Sequence, residues 1–406
     1  MTVYLGIDWS ERKHDVCFMN EAGAVIQELT IEHSAEGFLK LEAARQTMGL
    51  TPTDIAIGLE TAHSLLIDFL LDQTYPLIYI LPPHQVKGNQ GRYAQSGAKD
   101  DRRDAWVIAD MLRTDRGRWH AWQMDSLLTR QIQVQLRQVI YLNHMIRRQT
   151  NHLRAALLRF YPAALEVFSR LDSPIALNFL LEYPSPQKAS QLSYTAFSAF
   201  LRAHHHTQIH KWPDCYSRLT ASRPTANTDT VSIYAAQVQR LAQLLLPFVL
   251  DKPKAIRELN RLFEQHPDAH IYQSLPGVGV FLAPALLAKL GDDRQRFPEP
   301  SVLQAVAGTC PITRRSGSHK SVLFRKACDH EFRYIADQWA RKMIRSSPWA
   351  ITYFAQLRKR GISKNDACRR LANRLLAILW VLWRNHSDYN ETLHLQQLIL
   401  RAKPRP

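Results

Sequence analysis

Val3-Tyr4-Leu5-Gly6-Ile7-Asp8-Trp9-Ser10 opens the chain as an apolar run closed by a carboxylate. Ile55-Ala56-Ile57-Gly58-Leu59-Glu60 repeats the design, an apolar run that again ends in an acid. Short apolar runs bounded by turn residues read as buried strands. Between them His14–Met19 and Val25–Ile31 read as two further strands, joined by the hairpin turn Asn20-Glu21-Ala22-Gly23. Ser34 is placed to cap a helix running to about Met48, Ser64–Asp72 reads as a second helix, and Leu77–Leu81 as a strand that stops at Pro82-Pro83. The order β-β-β-α-β-α-β-α predicts an α/β domain of the ribonuclease H-like (RuvC-like) type, whose three antiparallel strands precede strands alternating with helices. Ligands of open sheets of this kind gather at strand ends.

Two more acids, Asp101 and Asp104 in Ala98-Lys99-Asp100-Asp101-Arg102-Arg103-Asp104-Ala105, stand three apart where a helix begins, and so on one helix face. Hard divalent cations such as Mg²⁺ or Mn²⁺ take oxygen ligands, and phosphoryl-transfer sites draw several carboxylates to one point. Asp8, Glu60, Asp101 and Asp104 are therefore the candidate catalytic and metal-holding residues. A single acid at a strand end is more often a cap or a turn residue; the combination is what points to metal chemistry. Asp100 adjoins Asp101, and the residues alone leave the choice between them open.

Charge divides the chain. Residues 1–100 carry 7 Lys and Arg against 13 Asp and Glu, whereas residues 301–406 carry 20 against 6, within a net charge of +16. An acidic front joined to a basic remainder fits a metal-dependent catalytic domain attached to polyanion-binding parts, with nucleic acid as the partner. No run of eighteen apolar residues suggests a membrane span, the first residues read as a strand rather than a signal peptide, and the five cysteines are scattered without a CxxC pair. A reduced, cytoplasmic protein without structural zinc is expected.

Beyond the front domain, residues 127–161 form a long helical pattern in which Ile132, Leu136, Val139, Ile146, Leu153 and Leu157 recur at helical steps. Residues 126–165 contain no acid but include Arg130, Arg137, Arg147, Arg148, Arg154 and Arg159, a basic face suited to phosphates. Residues 170–228 read as short helices and loops. A second long helix is expected over about 230–265, interrupted at Pro247 and Pro253, with Leu241, Leu244, Leu245 and Val249 against the first. These bounds divide the chain into a domain at 1–120, a helical coiled-coil arm at 121–265 and an all-α C-terminal domain at 266–406 with a polar loop at about 309–323. In that last part, Leu275-Pro276-Gly277-Val278-Gly279 before a helix offers backbone N–H groups to a phosphate in the manner of a helix-hairpin-helix motif, with Gly277 and Gly279 the residues concerned. Arg314-Arg315-Ser316-Gly317-Ser318-His319-Lys320 sets a serine beside glycine among Arg314, Arg315 and Lys320, cations able to steady a phosphate. By itself that is the composition of an ordinary polar loop. His204-His205-His206 reads as surface or RNA-facing, and the tryptophans Trp339, Trp380 and Trp383 as core.

Taken together, these motifs resemble the DEDD-type transposases of insertion sequence family 110, relatives of the Piv site-specific DNA invertases and of RNA-guided recombinases. The resemblance runs over residues 3–160, through Gly6-Ile7-Asp8-Trp9-Ser10, Glu60-Thr61-Ala62 and Lys99-Asp100-Asp101-Arg102-Arg103-Asp104-Ala105. It resumes from about 271 to 382 through Leu275-Pro276-Gly277-Val278-Gly279, Leu286-Leu287-Ala288-Lys289-Leu290-Gly291-Asp292, Phe297, Ala307-Gly308 and Ser316-Gly317. It implies that Asp101 and Asp104 are the third and fourth acids, Asp100 standing where the family has Thr. It further implies that Ser316 is a nucleophile forming a covalent link to DNA, and that acids and serine meet across subunits of a homo-oligomer, a dimer or a tetramer. A structured guide RNA would pair with donor and target DNA, the arginine-rich arm and Lys99 serving the nucleic acid. Without the resemblance, a Holliday-junction resolvase-like metal nuclease and a non-catalytic nucleic-acid-binding relative remain open readings.

Overall fold

A computed structural model describes residues 2–62, 64–90, 101–317 and 319–402. The chain gathers into two compact units: an N-terminal unit of Met1–Asp125 with Asp293–Pro298, and a helical unit of Ser126–Asp292 with Glu299–Pro406. Most of the stretches expected as arm and as C-terminal domain lie in the helical unit, with residues 121–125 and 293–298 in the N-terminal one.

The N-terminal unit is built on β1 (Val3–Trp9), β2 (Lys13–Met19), β3 (Val25–Glu32), β4 (Ile55–Leu59) and β5 (Ile78–Ile80), in the sheet order β3-β2-β1-β4-β5. β1 pairs antiparallel with β2 and parallel with β4, and β5 extends the parallel part. Helices α1 (Ala35–Thr47), α2 (Leu65–Asp72), α3 (Pro83–Gln90) and α4 (Asp101–Asp115) complete the expected order of elements. Alternation along β1 sends Val3, Leu5 and Ile7 into a core with Phe38, Leu41, Leu66 and Leu70 of α1 and α2. The opposite face of the sheet, with Gly6, Cys17 and Met19, receives Ala105 and Ala109 of α4. Each fully buried Leu or Ile side chain contributes about 1.5–3 kcal/mol.

The helical unit begins with α5 (Leu127–Phe160), continues through the short helices α6 (Ala164–Val167), α7 (Pro174–Glu182), α8 (Pro186–Ser190), α9 (Tyr194–Ala203) and α10 (Trp212–Thr220), and returns along α11 (Thr228–Glu264). Ile146, Leu153 and Leu157 of α5 share one core with Val238, Ala242 and Leu245 of α11. Leu241 and Val249 pack partly into it, but Leu244, expected there, points outward. α11 also runs unbroken through Pro247 and Pro253. Each proline removes one helical hydrogen bond, yet both lie on the exposed side, where water can serve the freed carbonyls, and packing on α5 holds the axis. By length and composition α11 would match a membrane span, with an 18-residue window of mean hydropathy 1.2. One face of it packs into the core, and Ile233, Leu244 and Leu250 leave the other apolar and exposed. Residues 170–228 prove ordered around an aromatic cluster of Phe168, Phe179, Tyr183 and Phe200.

The chain then forms α12 (Ala269–Gln273), α13 (Gly279–Leu290), α14 (Pro300–Val306), β6 (Ile312–Ser316), β7 (His319–Leu323), α15 (His330–Ser346), α16 (Pro348–Lys359), α17 (Lys364–Arg384) and α18 (Glu391–Ala402). The expectation of an all-α C-terminal part with a polar loop at 309–323 is corrected here, because β6 and β7 make an antiparallel hairpin. Its cause is local: Thr313 and Val322 suit a pleated ribbon, and Gly317 takes the positive φ of +56° that the tight connection needs. Where α5 starts, the Asp292 carboxylate accepts hydrogen bonds from the Ser126 N–H at 2.6 Å and the Thr129 hydroxyl at 2.7 Å, and lies 3.1 Å from His266 Nε2. Burial alone would raise this carboxyl, but those hydrogen bonds overcome it and hold the group well below the usual carboxylate range.

Candidate active site

The acids of the N-terminal unit are brought together by two glycines. β1 and β4 run parallel with Ile7 opposite Leu59, so Asp8 and Glu60, each one residue further on, occupy the same end of neighbouring strands. Period-two alternation puts Asp8 on the face of Gly6, and Glu60 on the face of Gly58. That is the face on which α4 lies. A Cβ at Gly6 would stand 2.0 Å from the Ala105 carbonyl oxygen and 2.5 Å from the Ala109 nitrogen, and one at Gly58 would meet Ile108 Cγ2 at 2.7 Å. Only glycine lets the helix backbone approach this closely. Asp104, one residue before Ala105, is thereby set at the strand ends. Asp101 is the first residue of α4; its side chain, like Asp100 and Lys99, lies outside the described residues.

Glu60 registers this crowding. Burial first, and then the negative charge of Asp104, push its carboxyl above the ordinary range. Carboxylates held together against their own repulsion are the donor set a hard divalent cation takes. Among the described residues no three His, Cys, Asp or Glu side chains form a ready metal cluster. A fifth acid escaped the reading of the sequence. Asp15 on β2 is the direct cross-strand partner of Asp8, on the same face, only 4% exposed, and accepts a hydrogen bond from Thr30 Oγ1 at 2.5 Å. Its signal was present in the alternation of His14-Asp15-Val16, which assigns Asp15 to one face once the strand is paired. On the opposite face His14 Nε2 lies 2.9 Å from His33 Nδ1, and burial, helped by His33, pushes its imidazole down to about 4, so it is packed neutral.

Ser316 occupies a different environment. It ends β6, exposed, on a hairpin with no acid between Gly308 and Cys328. The register pairs Arg314 with Ser321, Arg315 with Lys320, and Ser316 with His319. Cross-strand partners share a face and neighbours along a strand do not, so Arg314, Ser316 and His319 fall on one side and Arg315 and Lys320 on the other. The three cations expected to clamp one phosphate are therefore divided between two faces. Arg315 and Lys320 are like charges directly opposite each other, an arrangement that costs stability unless an anion lies between them.

The remaining candidates scatter. Arg147 and Arg148 are exposed on α5, and none of that helix's six arginines pairs with an acid among the described residues. Gly277 has φ +78°, and a Cβ there would lie 3.0 Å from both Lys342 Cβ and Ser346 Oγ, so its glycine answers to packing against α15. Gly279 is exposed where α13 begins. In the histidine run, His206 Nδ1 accepts from Trp212 Nε1 at 2.9 Å and His204 stacks on Phe200. Trp339 and Trp383 are fully buried, while Trp380 is half-buried beneath Arg384.

Comparison with known proteins agrees with this layout. Residues 5–162 match the DEDD transposase model of insertion sequence 110, described as a transposase, and residues 269–355 match a model described as a transposase of the IS116/IS110/IS902 family. The chain is 29% identical over 401 residues to a mini-circle putative transposase for IS117 from Streptomyces coelicolor, covering 96% of each chain. It is 27% identical to the uncharacterized 42 kDa protein of insertion element IS900 from Mycobacterium paratuberculosis, covering 96% of this chain and 97% of that one. An IS116 protein of Streptomyces clavuligerus is 24% identical over 410 residues. The first match spans the sheet domain and the start of the helical unit, the second lies within the helical unit, and the chain belongs to the insertion sequence 110 family of DEDD transposases, enzymes that cut and rejoin DNA.

Proposed function

We propose that this transposase is a divalent-metal-dependent, RNA-guided DNA recombinase that forms a serine–DNA covalent intermediate. Asp8, Glu60, Asp101 and Asp104 would hold Mg²⁺ or Mn²⁺. The cation, when bound, supplies charge neutralisation at a scissile phosphate. Ser316 attacks the phosphodiester to give a phosphoserine, and a freed deoxyribose hydroxyl later reverses the attack to complete strand exchange. The observation that carries this reading is the pairing of a crowded carboxylate site with an exposed serine on an acid-free, cationic ribbon.

Several features support its other parts. The arginines of α5, Arg147 and Arg148 among them, have no acidic partner among the described residues and suit the backbone of a structured guide RNA as well as of donor and target DNA. Exposed Ile233, Leu244 and Leu250 on α11 suit a coiled-coil contact with a second copy, in keeping with a dimer or tetramer whose sites are shared between subunits. Gly279 at the start of α13 suits a phosphate in a helix-hairpin-helix manner. Cysteines without disulfides suit work in the cytoplasm, where DNA and RNA are available.

The test uses the full chain, Mg²⁺, the RNA transcribed from the element's non-coding end, and DNA carrying both element ends. Ser316→Ala is expected to abolish denaturation-resistant protein–DNA adducts and to lower strand transfer by roughly 10⁴-fold or more. Adducts that persist in Ser316→Ala sink the serine assignment. Cleavage without adducts in the unaltered protein points to hydrolysis in the manner of a resolvase, and binding without cleavage to a non-catalytic relative.

A further inference from the structure

A serine hydroxyl is a weak nucleophile until a base takes its proton. The hairpin that carries Ser316 supplies few candidates. Between Pro311 and Ala327 there is no Asp, Glu, Cys or Tyr, and Arg314, Arg315, Lys320, Arg325 and Lys326 are cations with no lone pair to offer. His319 is the one side chain in that stretch with a ring nitrogen able to take a proton from a hydroxyl. It is also the register partner of Ser316, the pair that closes the ribbon across Gly317 and residue 318. Directly opposed residues of an antiparallel pair place their Cβ atoms roughly 4.5–5.5 Å apart on one face, within reach of an imidazole-to-hydroxyl hydrogen bond.

We infer that His319 is the proton acceptor for Ser316, a base carried on the same ribbon as the nucleophile. The inference rests on the reading of Ser316 as nucleophile and adds a residue that neither the acids nor the cations supply. In the step, the Ser316 Oγ–H proton passes to the unprotonated ring nitrogen of His319. An Oγ–P bond forms to the scissile phosphorus, and the bond from phosphorus to one deoxyribose oxygen breaks. That oxygen departs with the electron pair and is protonated by water. In the return step the incoming deoxyribose hydroxyl gives its proton to solvent and attacks phosphorus, and the departing Ser316 oxygen recovers its proton from the His319 imidazolium. Arg314, two residues before Ser316 on the same face, is placed to hold the non-bridging oxygens. Arg315 and Lys320 lie on the opposite face, so Arg314 is the cation that shares a face with the imidazole. A nucleophile exposed on a two-stranded ribbon moves with that ribbon, and a base directly across the pair of strands keeps its geometry wherever the ribbon goes.

The experiment measures the rate of adduct formation against pH for the unaltered protein, Ser316→Ala, His319→Gln and His319→Ala, with the same RNA and end-bearing DNA. DNA affinity is measured in parallel. His319→Gln and His319→Ala should bind DNA normally, form adducts about 10²–10⁴-fold more slowly at neutral pH, and lose the fall in rate that the unaltered protein shows on the acid side. The inference is overturned if His319→Gln reacts at the unaltered rate, or reacts slowly while keeping the acid-side fall, since a purely structural histidine would leave that limb in place. Adducts in Ser316→Ala would instead overturn the nucleophile. A Ser316→Ala protein without adducts beside an unimpaired His319→Gln would remove the base alone.

Discussion

The two candidate centres are built on opposite principles. Around Asp8 and Glu60 the chain is packed until no atom can be added: Gly6 has no room for a methyl group, α4 rests on bare backbone, and like charges are pressed together by the fold. Around Ser316 nothing is packed. Among the described residues Gly317 has no neighbour beyond those adjacent in the chain within 4 Å of where a Cβ would stand, most side chains of the ribbon are exposed, and the crowded charges are positive. The first arrangement uses close packing to hold acids of like charge near one another. The second leaves cations and a hydroxyl exposed on a ribbon. Rigidity is invested where ligand geometry must be fixed, and exposure where a large substrate must be admitted.

The contrast can be broken most directly at its two glycines. Gly6→Ala should cost about 3 kcal/mol in a urea titration and take DNA cleavage with it, because α4 must shift. Gly317→Ala should cost only about 1 kcal/mol, the strain of a positive φ in open space. Equal losses at the two positions would erase the distinction. The ribbon's cations give a smaller effect. Arg315→Ala and Lys320→Ala should leave the urea midpoint unmoved or slightly raised, yet each should reduce the slope of log affinity for DNA against log salt by about 0.9. A lowered midpoint with an unaltered salt slope would mean that the pair serves the fold and not the phosphate backbone.

The smallest effect concerns Glu60. Its carboxyl is raised in the folded protein by burial and by Asp104, so the folded state binds the proton more tightly than the unfolded chain does. The stabilisation this gives is complete below the unfolded carboxylate value of about 4.3 and is lost as pH rises through the higher folded value. Glu60→Gln should therefore stabilise the metal-free protein at neutral pH, by on the order of 1 kcal/mol or less once water screening of this half-buried group is allowed for. Millimolar Mg²⁺ should raise the thermal midpoint of the unaltered protein, and Glu60→Gln should blunt that rise. A variant that is less stable without metal, or that still responds fully to Mg²⁺, would show that the crowding at Glu60 has another purpose.

Much of this was legible along the chain. The apolar runs ending at Asp8 and Glu60 announced two buried strands with acids at their ends, and the steps of Ile132, Leu136 and Val139 announced α5 almost to the residue. What escaped detection depended on pairing. Asp15 could be recognised as a neighbour of Asp8 only once β2 had a register. Residues 309–323 carry the composition of a loop, and the ribbon exists because two short polar segments find each other across Gly317. Pro247 and Pro253 read as helix breaks because propensity counts the lost hydrogen bonds, while the packing of α11 on α5 outweighs them.

The sequence by itself determined the order of elements, the separation of an acidic front from a basic remainder, and the family to which the chain belongs, because periodicity, charge and motif are properties of neighbours along the chain. The tertiary structure alone decided which groups share a face. It set Asp15 beside Asp8, parted Arg315 and Lys320 from Arg314, and placed His319 across from Ser316, since strand register and the approach of a helix to a glycine are fixed by contacts between residues that the chain keeps apart.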